Sequence, residues 1–307
     1  MHNIPNFPTF KNLTLEDKDA YDLFYKKLGP YSDFSFNNLW IWYNTQNEIG
    51  ISNCDNCIIL RINNPFDRQE EYCLIGCGEC SNAISQLFKW QKLHDIEPKI
   101  VMVPEVVIKN LFPTESRYIH YKEDVNNNDY IYDIEAMYSA TGSSYVKYRN
   151  ALSKFRRSYS EDLSVLNIDV KNLSNKVLLI NSLHCWESTY RQNQQAQLEG
   201  AALDAYLRYA DQLSVNCVGI FITGKLCAFS LYQLLPENGY AIVNNLKCNY
   251  AYNYIFDFTF SQIIRILHEK KITYVNLEQD LGIQGLRIHK QRLQPVKYLK
   301  RYTLTPT

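Results

Sequence analysis

YVNLEQDLGIQGLRIHKQRLQPVKYLKRY, residues 274–302, decides how the rest of the chain is read. Tyr274-Val275-Asn276-Leu277-Glu278 alternates and includes a β-branched residue, which predicts a strand ending in carboxylates. Gly282 and Gly285 punctuate a turn. From Leu286 apolar and basic residues recur at helical spacing, so Arg287 and Lys290, three apart, share one face. Pro295 ends that helix because it has no amide hydrogen to continue the ladder. Residues 296–303 alternate again and predict a last strand. Residues 281–307 hold six Lys or Arg and no Asp or Glu, in a chain whose 32 basic and 32 acidic residues cancel. A local positive field therefore faces Glu278 and Asp280.

Working outward, 307 residues with 46% hydrophobic content can bury one large core or two ordinary ones, and two domains is the better expectation. No run of about 18 apolar residues occurs, and MHNIPNFPTF lacks the basic and apolar regions of a secretory signal. A cytoplasmic protein is expected, with peripheral attachment to a membrane left open. The zero net charge argues against coating of DNA, though not against a local patch. No Walker loop is present, and six scattered histidines form no Ser-His-Asp pattern.

The first hundred residues read as an α/β unit. A helix is predicted over 15–28 after Thr14, a strong capping residue, and Gly29-Pro30 ends it. The aromatic run from Asp33 to Trp42 reads first as core. Strands are predicted at 49–52, 57–62, 71–75 and 99–103, with a helix at 81–93. Residues 118–129 turn polar, and Asn126-Asn127-Asn128-Asp129 is the clearest linker-like run. The domain boundary is placed there, giving domains 1–129 and 130–307.

Nine cysteines without a secretory signal favour reduced thiols or a metal over a disulfide framework. Cys54-x-x-Cys57 and Cys77-x-x-Cys80 have the spacing of a two-knuckle zinc site. With the hairpin turn centred near Phe66, antiparallel pairing sets Cys57 opposite roughly Gly76 and brings both pairs to one end of the sheet. A structural zinc on Cys54, Cys57, Cys77 and Cys80 is one reading. Small buried thiols in a core are the other.

Beyond the strand predicted at 130–134, a helix over 143–159 holds Lys147, Arg149, Lys154, Arg156 and Arg157 and no acid. It reads as a solvated cationic face, a phosphate contact, or a surface for anionic lipid. Helices follow at 176–190 and 200–213, then strands at 217–223, 225–233 and 239–246, a strongly apolar helix at 255–269, and the opening segment.

Glu278-Gln279-Asp280-Leu281-Gly282-Ile283-Gln284-Gly285-Leu286-Arg287, with Lys290, Pro295, Arg301 and Tyr302, resembles the ending of the family that contains the C-terminal part of bacterial lysylphosphatidylglycerol synthases. Arg149-Asn150 with Lys154-Phe155 is similar to that family's basic helix, and the Phe, Leu and Trp of residues 34–40 to its aromatic stretch. The resemblance implies α/β architecture with mixed sheets: two tandem GNAT-like acyltransferase domains. It also implies transfer of an amino acid from aminoacyl-tRNA to an amine or hydroxyl acceptor, with no cofactor required. In that scheme Asp280 or Glu278 assists deprotonation, while Lys247, Arg287, Lys290, Arg149 and Asn150 bind substrate or stabilise negative charge. Ordinary roles stand beside these: Asp280 as a turn cap, and Arg287 and Lys290 as ion-pair partners of the two carboxylates. The family commonly has Glu-Lys-Ala and then a Gly around Lys247, where this chain reads Leu246-Lys247-Cys248 with no glycine in 249–253. An acyl-CoA enzyme needs a glycine-rich cradle at that place. Acyl-CoA N-acyltransfer, and a non-catalytic module binding tRNA or anionic lipid, are the alternatives.

Overall fold

A computed structural model describes residues 4–44, 49–55, 57–64, 68–76, 78–111, 118–190 and 194–307. The first strands are β1 (Lys11–Asn12), β2 (Gly50–Cys54), β3 (Cys57–Asn63), β4 (Glu70–Gly76), β5 (Ile100–Pro104) and β6 (Ile119–Glu123). There follow β7 (Asp129–Asp133), β8 (Leu163–Asn167), β9 (Asn216–Ile222), β10 (Lys225–Leu235), β11 (Tyr240–Cys248), β12 (Tyr274–Asn276), β13 (Lys297–Leu299) and β14 (Arg301–Pro306). Helices in the first part are α1 (Lys18–Leu28), α2 (Phe36–Asn38), α3 (Ser81–Leu93) and α4 (Glu105–Lys109). Those of the later part are α5 (Ile134–Ser139), α6 (Val146–Tyr159), α7 (Leu173–Tyr190), α8 (Gln194–Arg208), α9 (Ile255–Glu269) and α10 (Gln284–Arg292).

Contacts gather the chain into two units, neither continuous in sequence. One holds Met1–Asp129, Gln279–Gln284 and Tyr298–Thr307; the other holds Tyr130–Glu278 and Gly285–Lys297. Among the described residues the strands form two sheets, ordered β1-β2-β3-β4-β5-β14-β6 and β13-β7-β12-β11-β10-β9-β8. Both are mixed in the same way. An antiparallel run, β2 to β4 or β8 to β11, ends in one parallel step, β4 to β5 or β11 to β12, after which pairing is antiparallel again. Each parallel step needs a crossover, and α3 and α9 provide it. The fold is mixed α/β with two mixed sheets, as expected from the sequence.

In the first unit, α3 buries Ala83, Ile84, Leu87 and Phe88, an apolar stripe at helical spacing, against β3, β4 and β5. Cys57 pairs with Gly76 and Cys54 with Cys57, the register read from the sequence. The aromatic run is core: Phe34, Phe36, Leu39, Trp40 and Ile41 are buried. Two expectations need correction. The polar stretch 118–129, for which no strand is predicted, contains one at residues 119–123, and the linker-like run ends in a strand, since β7 starts at Asp129; the polarity of β6 fits an edge strand. The single strand predicted at 296–303 is two, β13 and β14, and β14 lies in the first sheet between β5 and β6.

Arg301, on β14, is fully buried. Its guanidinium lies 3.0 Å from Asp129 and 2.9 Å from Asp33, and it also donates to the Asn127 carbonyl. Gln279 Nε2 donates to Ser32 Oγ, Asp33 and Asp129, completing the network. Burial is the largest influence on Asp33 and, with Asp129 alongside, raises its carboxyl against the pull of Arg301, to about 6. One guanidinium between the buried Asp129 and the half-buried Asp33 leaves a net negative charge, which a proton on Asp33 relieves.

The second unit packs α9 and α6 on one face of its sheet. Phe260, Ile263, Ile264 and Leu267 of α9 meet Tyr132, Tyr232, Ala241, Val243 and Val275. α6 buries Tyr148, Ala151 and Phe155, and its five cations all stay exposed. Among the described residues no helix is long and apolar enough to cross a membrane.

Candidate functional site

β11 pairs with β10 along nearly its whole length but with β12 only through Tyr240–Ile242. β12 stops because Asn276 Oδ1 accepts from the Glu278 amide at 2.6 Å and Glu278 turns left-handed, at φ +60°. β11 runs on past that point. A bulge between Leu231 and Tyr232 leaves Asn244 without a partner position on β10, and such bulges re-aim a side chain. Asn244 Nδ2 donates to Glu278 at 3.4 Å, and the Tyr206 hydroxyl donates to Asn244 Oδ1 at 3.0 Å.

Helix α8 makes a second contact one strand segment further on. Glu199 pairs with the ammonium of Lys247, whose residue is only 4% exposed. Tyr206 and Glu199 are seven residues apart on α8, two turns or about 10 Å, and Asn244 and Lys247 are three apart on β11, also about 10 Å. Helix and strand run side by side in opposite senses, so the two contacts are in register. Gln233, Asn245 and Lys247 share the sheet face that looks toward α8. Asn245 Nδ2 and Oδ1 and Gln233 Oε1 are buried with no hydrogen-bond partner among the described residues. This face therefore sets two amides and an ammonium among the buried Phe229, Leu231 and Ile242, with the Glu199 carboxylate reaching it from α8, while its reverse carries Val243 and Leu246.

The residues expected from the sequence divide as follows. Lys247 and Glu278 lie on this row. Asp280 belongs to the first unit, where it is buried and its carboxylate accepts from the Gly282 amide at 2.8 Å, the turn-cap role. The left-handed Glu278 ends the alternation that would have set Glu278 and Asp280 on one face. Lys290 is buried, donates to the Leu277 carbonyl at 2.6 Å and sits 5.6 Å over the Tyr130 ring. Arg287 is half-buried on α10. Arg149 donates to the Ala140 and Gly142 carbonyls, closing the turn before α6. Asn150 is exposed beside it. Glu199, Tyr206 and Asn244 had no sequence signal. The resemblance leads one to expect a carboxylate at Leu246; the carboxylate beside Lys247 is that of Glu199.

The start of α9 follows residues 249–253, the place where an acyl-CoA enzyme would need its glycine-rich cradle. Its N-cap, Tyr254, is left-handed at φ +65°, with no glycine nearby to let a phosphate approach. Asp257 stands in the first turn, buried, with Arg292 at 2.7 Å. Burial raises its carboxyl, which Arg292 opposes. A carboxylate already at the helix start repels a second anion. These residues do not fit CoA.

Of the cysteines expected to hold zinc, Cys54, Cys57 and Cys80 gather at the β3–β4 end, and Cys77 lies outside the described residues. Among the described residues no group of three or more His, Cys, Asp or Glu is placed to hold a metal ion.

The family described as phosphatidylglycerol lysyltransferase, C-terminal, matches residues 27–305. Among solved structures, a conserved protein of unknown function from Bacteroides thetaiotaomicron is similar, with TM-score 0.83 and 23% identity over 97% of this chain and 99% of that one. The C-terminal domain of a putative lysylphosphatidylglycerol synthetase from Agrobacterium fabrum has TM-score 0.65 and 13% identity, covering 94% and 91%. L-PGS from Bacillus licheniformis has TM-score 0.64 and 12% identity, covering 94% and 91%. At these identities the structures establish shared fold only. No curated protein matches the sequence. The match over nearly the whole chain establishes that it belongs to the phosphatidylglycerol lysyltransferase C-terminal family.

Proposed function

We propose that the chain transfers an amino acid from aminoacyl-tRNA to an amine or hydroxyl acceptor, at the row formed by Glu278, Asn244, Lys247 and Glu199. The observation that carries this reading is the family match over residues 27–305. The site supplies suitable groups. The acceptor nitrogen or oxygen bonds to the ester carbonyl carbon, and Glu278, held by Asn244, takes its proton. The Lys247 ammonium stabilises the oxyanion. When the ester C–O bond breaks, the proton passes to the departing ribose oxygen. Asp280, already a cap, has no part in this scheme, and Lys290 and Arg149 serve the scaffold. The exposed cations of α6 suit the tRNA backbone.

An acyl-CoA donor is the weaker reading because Asp257 and Arg292 occupy its place. A module that binds without transfer is favoured by one feature, the pairing of Lys247 with Glu199, which offsets its charge. The deciding experiment incubates the protein with tRNA charged with labelled amino acids and with amine, hydroxyl and phosphatidylglycerol acceptors, comparing wild type with Glu278→Gln. Turnover reduced about 10²-fold or more in the variant supports the scheme. Binding of charged tRNA without turnover leaves the module reading. Turnover with acetyl-CoA alone overturns both.

A further inference from the structure

The thiols at the β3–β4 end take no part in the site above. Cys57, at the start of β3, and Cys80, at the N-cap of α3, bring their sulfurs to 2.6 Å. Two thiolates sharing one zinc at about 2.3 Å in tetrahedral geometry would stand roughly 3.7 Å apart. The observed approach is too close for a shared metal and suits a direct bond between the two. Gly76 makes the approach possible. It faces Cys57 across the ladder, and a Cβ there would lie 2.5 Å from the Cys80 sulfur and 2.8 Å from that of Cys57. Cys54, paired with Cys57 at the hairpin end, completes a pocket of sulfur in which both thiols are buried. Burial of both sulfurs limits how readily a reagent reaches them.

We infer that Cys57 and Cys80 are a covalent modification site, closing to an intramolecular disulfide with a low-molecular-weight disulfide as oxidant. The Cys57 thiolate attacks one sulfur of the reagent, forming a mixed disulfide and releasing one small thiol. The Cys80 thiolate then displaces the second small thiol and forms the Cys57–Cys80 bond. Two protein thiols are oxidised, the reagent is reduced to two thiols, and the two thiol protons go to solvent or to the departing thiolates. The bond ties the start of β3 to the start of α3.

The test uses the full chain, purified under reducing conditions, assayed for zinc, then incubated with oxidised glutathione at pH 7 and pH 9. Alkylation of remaining thiols, proteolysis and fragment-ion mass spectrometry locate any link. The expected result is loss of two hydrogens, a link between Cys57 and Cys80 that forms faster at pH 9, and its persistence in Cys77→Ser. Cys80→Ser removes it. A link to Cys77 instead, both thiols alkylated separately after oxidation, or stoichiometric zinc protecting them, would each overturn the inference.

Discussion

A buried ammonium makes Lys247 the most exacting residue of the site. Its side chain is 4% exposed and that of Glu199 34%, so the pair is asymmetric. Losing Glu199 strands a buried charge, whereas losing Lys247 leaves a carboxylate that water can still reach. Glu199→Gln is therefore expected to cost about 3 kcal/mol and Lys247→Met about 1, with the double variant close to Lys247→Met. Urea unfolding of the three proteins checks this; equal costs would mean that the pair is no more than a surface contact. His289 offers a pH test in the same unit. Burial first, then Arg292 and Lys290, lower its imidazole from 6.5 to about 4. The folded state thus disfavours the proton that the unfolded state accepts. Stability from this residue is present above pH 6.5 and lost as pH falls toward 4. His289→Phe, keeping the ring that meets Phe256 edge-on, should flatten that part of the stability profile, which amounts to roughly 2–3 kcal/mol.

Helix α6 shows what one element does with a one-sided charge. Tyr148, Ala151 and Phe155 hold it to the sheet, and the cations point away from them, so they can change without disturbing the core. Replacing Lys154, Arg156 and Arg157 by Gln should leave folding intact while lowering the salt slope of tRNA binding by about 2–3, close to one for each phosphate left without its cation. Binding measured at several salt concentrations gives the slope; an unchanged one places the tRNA elsewhere. Elements of this kind were readable in the sequence. The limits of α3 and α9, and the pairing of Cys57 with Gly76, follow from periodicity and turn residues, because one face of each is buried. β6 and β8 were missed because edge strands bury one side and look polar. Glu199 was unreadable for another reason: its partner lies on β11, and nothing local to α8 marks a contact so distant in sequence.

At the scale of the whole molecule, the least readable fact is where the last strand goes. Alternation in residues 301–306 predicts a strand but says nothing of which sheet it joins. The charge on Arg301 holds the answer, since a fully buried guanidinium needs carboxylates, and Asp33 and Asp129 supply them. β14 pairs with β5 on one side and β6 on the other, so the first sheet is completed by the last strand of the chain. Shortening the chain after Leu299 removes both ladders and takes the guanidinium away from the two carboxylates. Stranding buried charge alone costs about 3–5 kcal/mol, a fraction large enough to unfold a marginal domain. Hydrogen exchange should then show amide protection in β5 falling by about 10²-fold or more, with β6 losing protection entirely. Arg301→Met isolates the electrostatic share, because the ladders remain; it should give a smaller loss in β5 and spare β6. Protection unchanged in the shortened chain would mean that the sheet stands without its seventh strand, and that Arg301 is a consequence of the fold and not one of its causes.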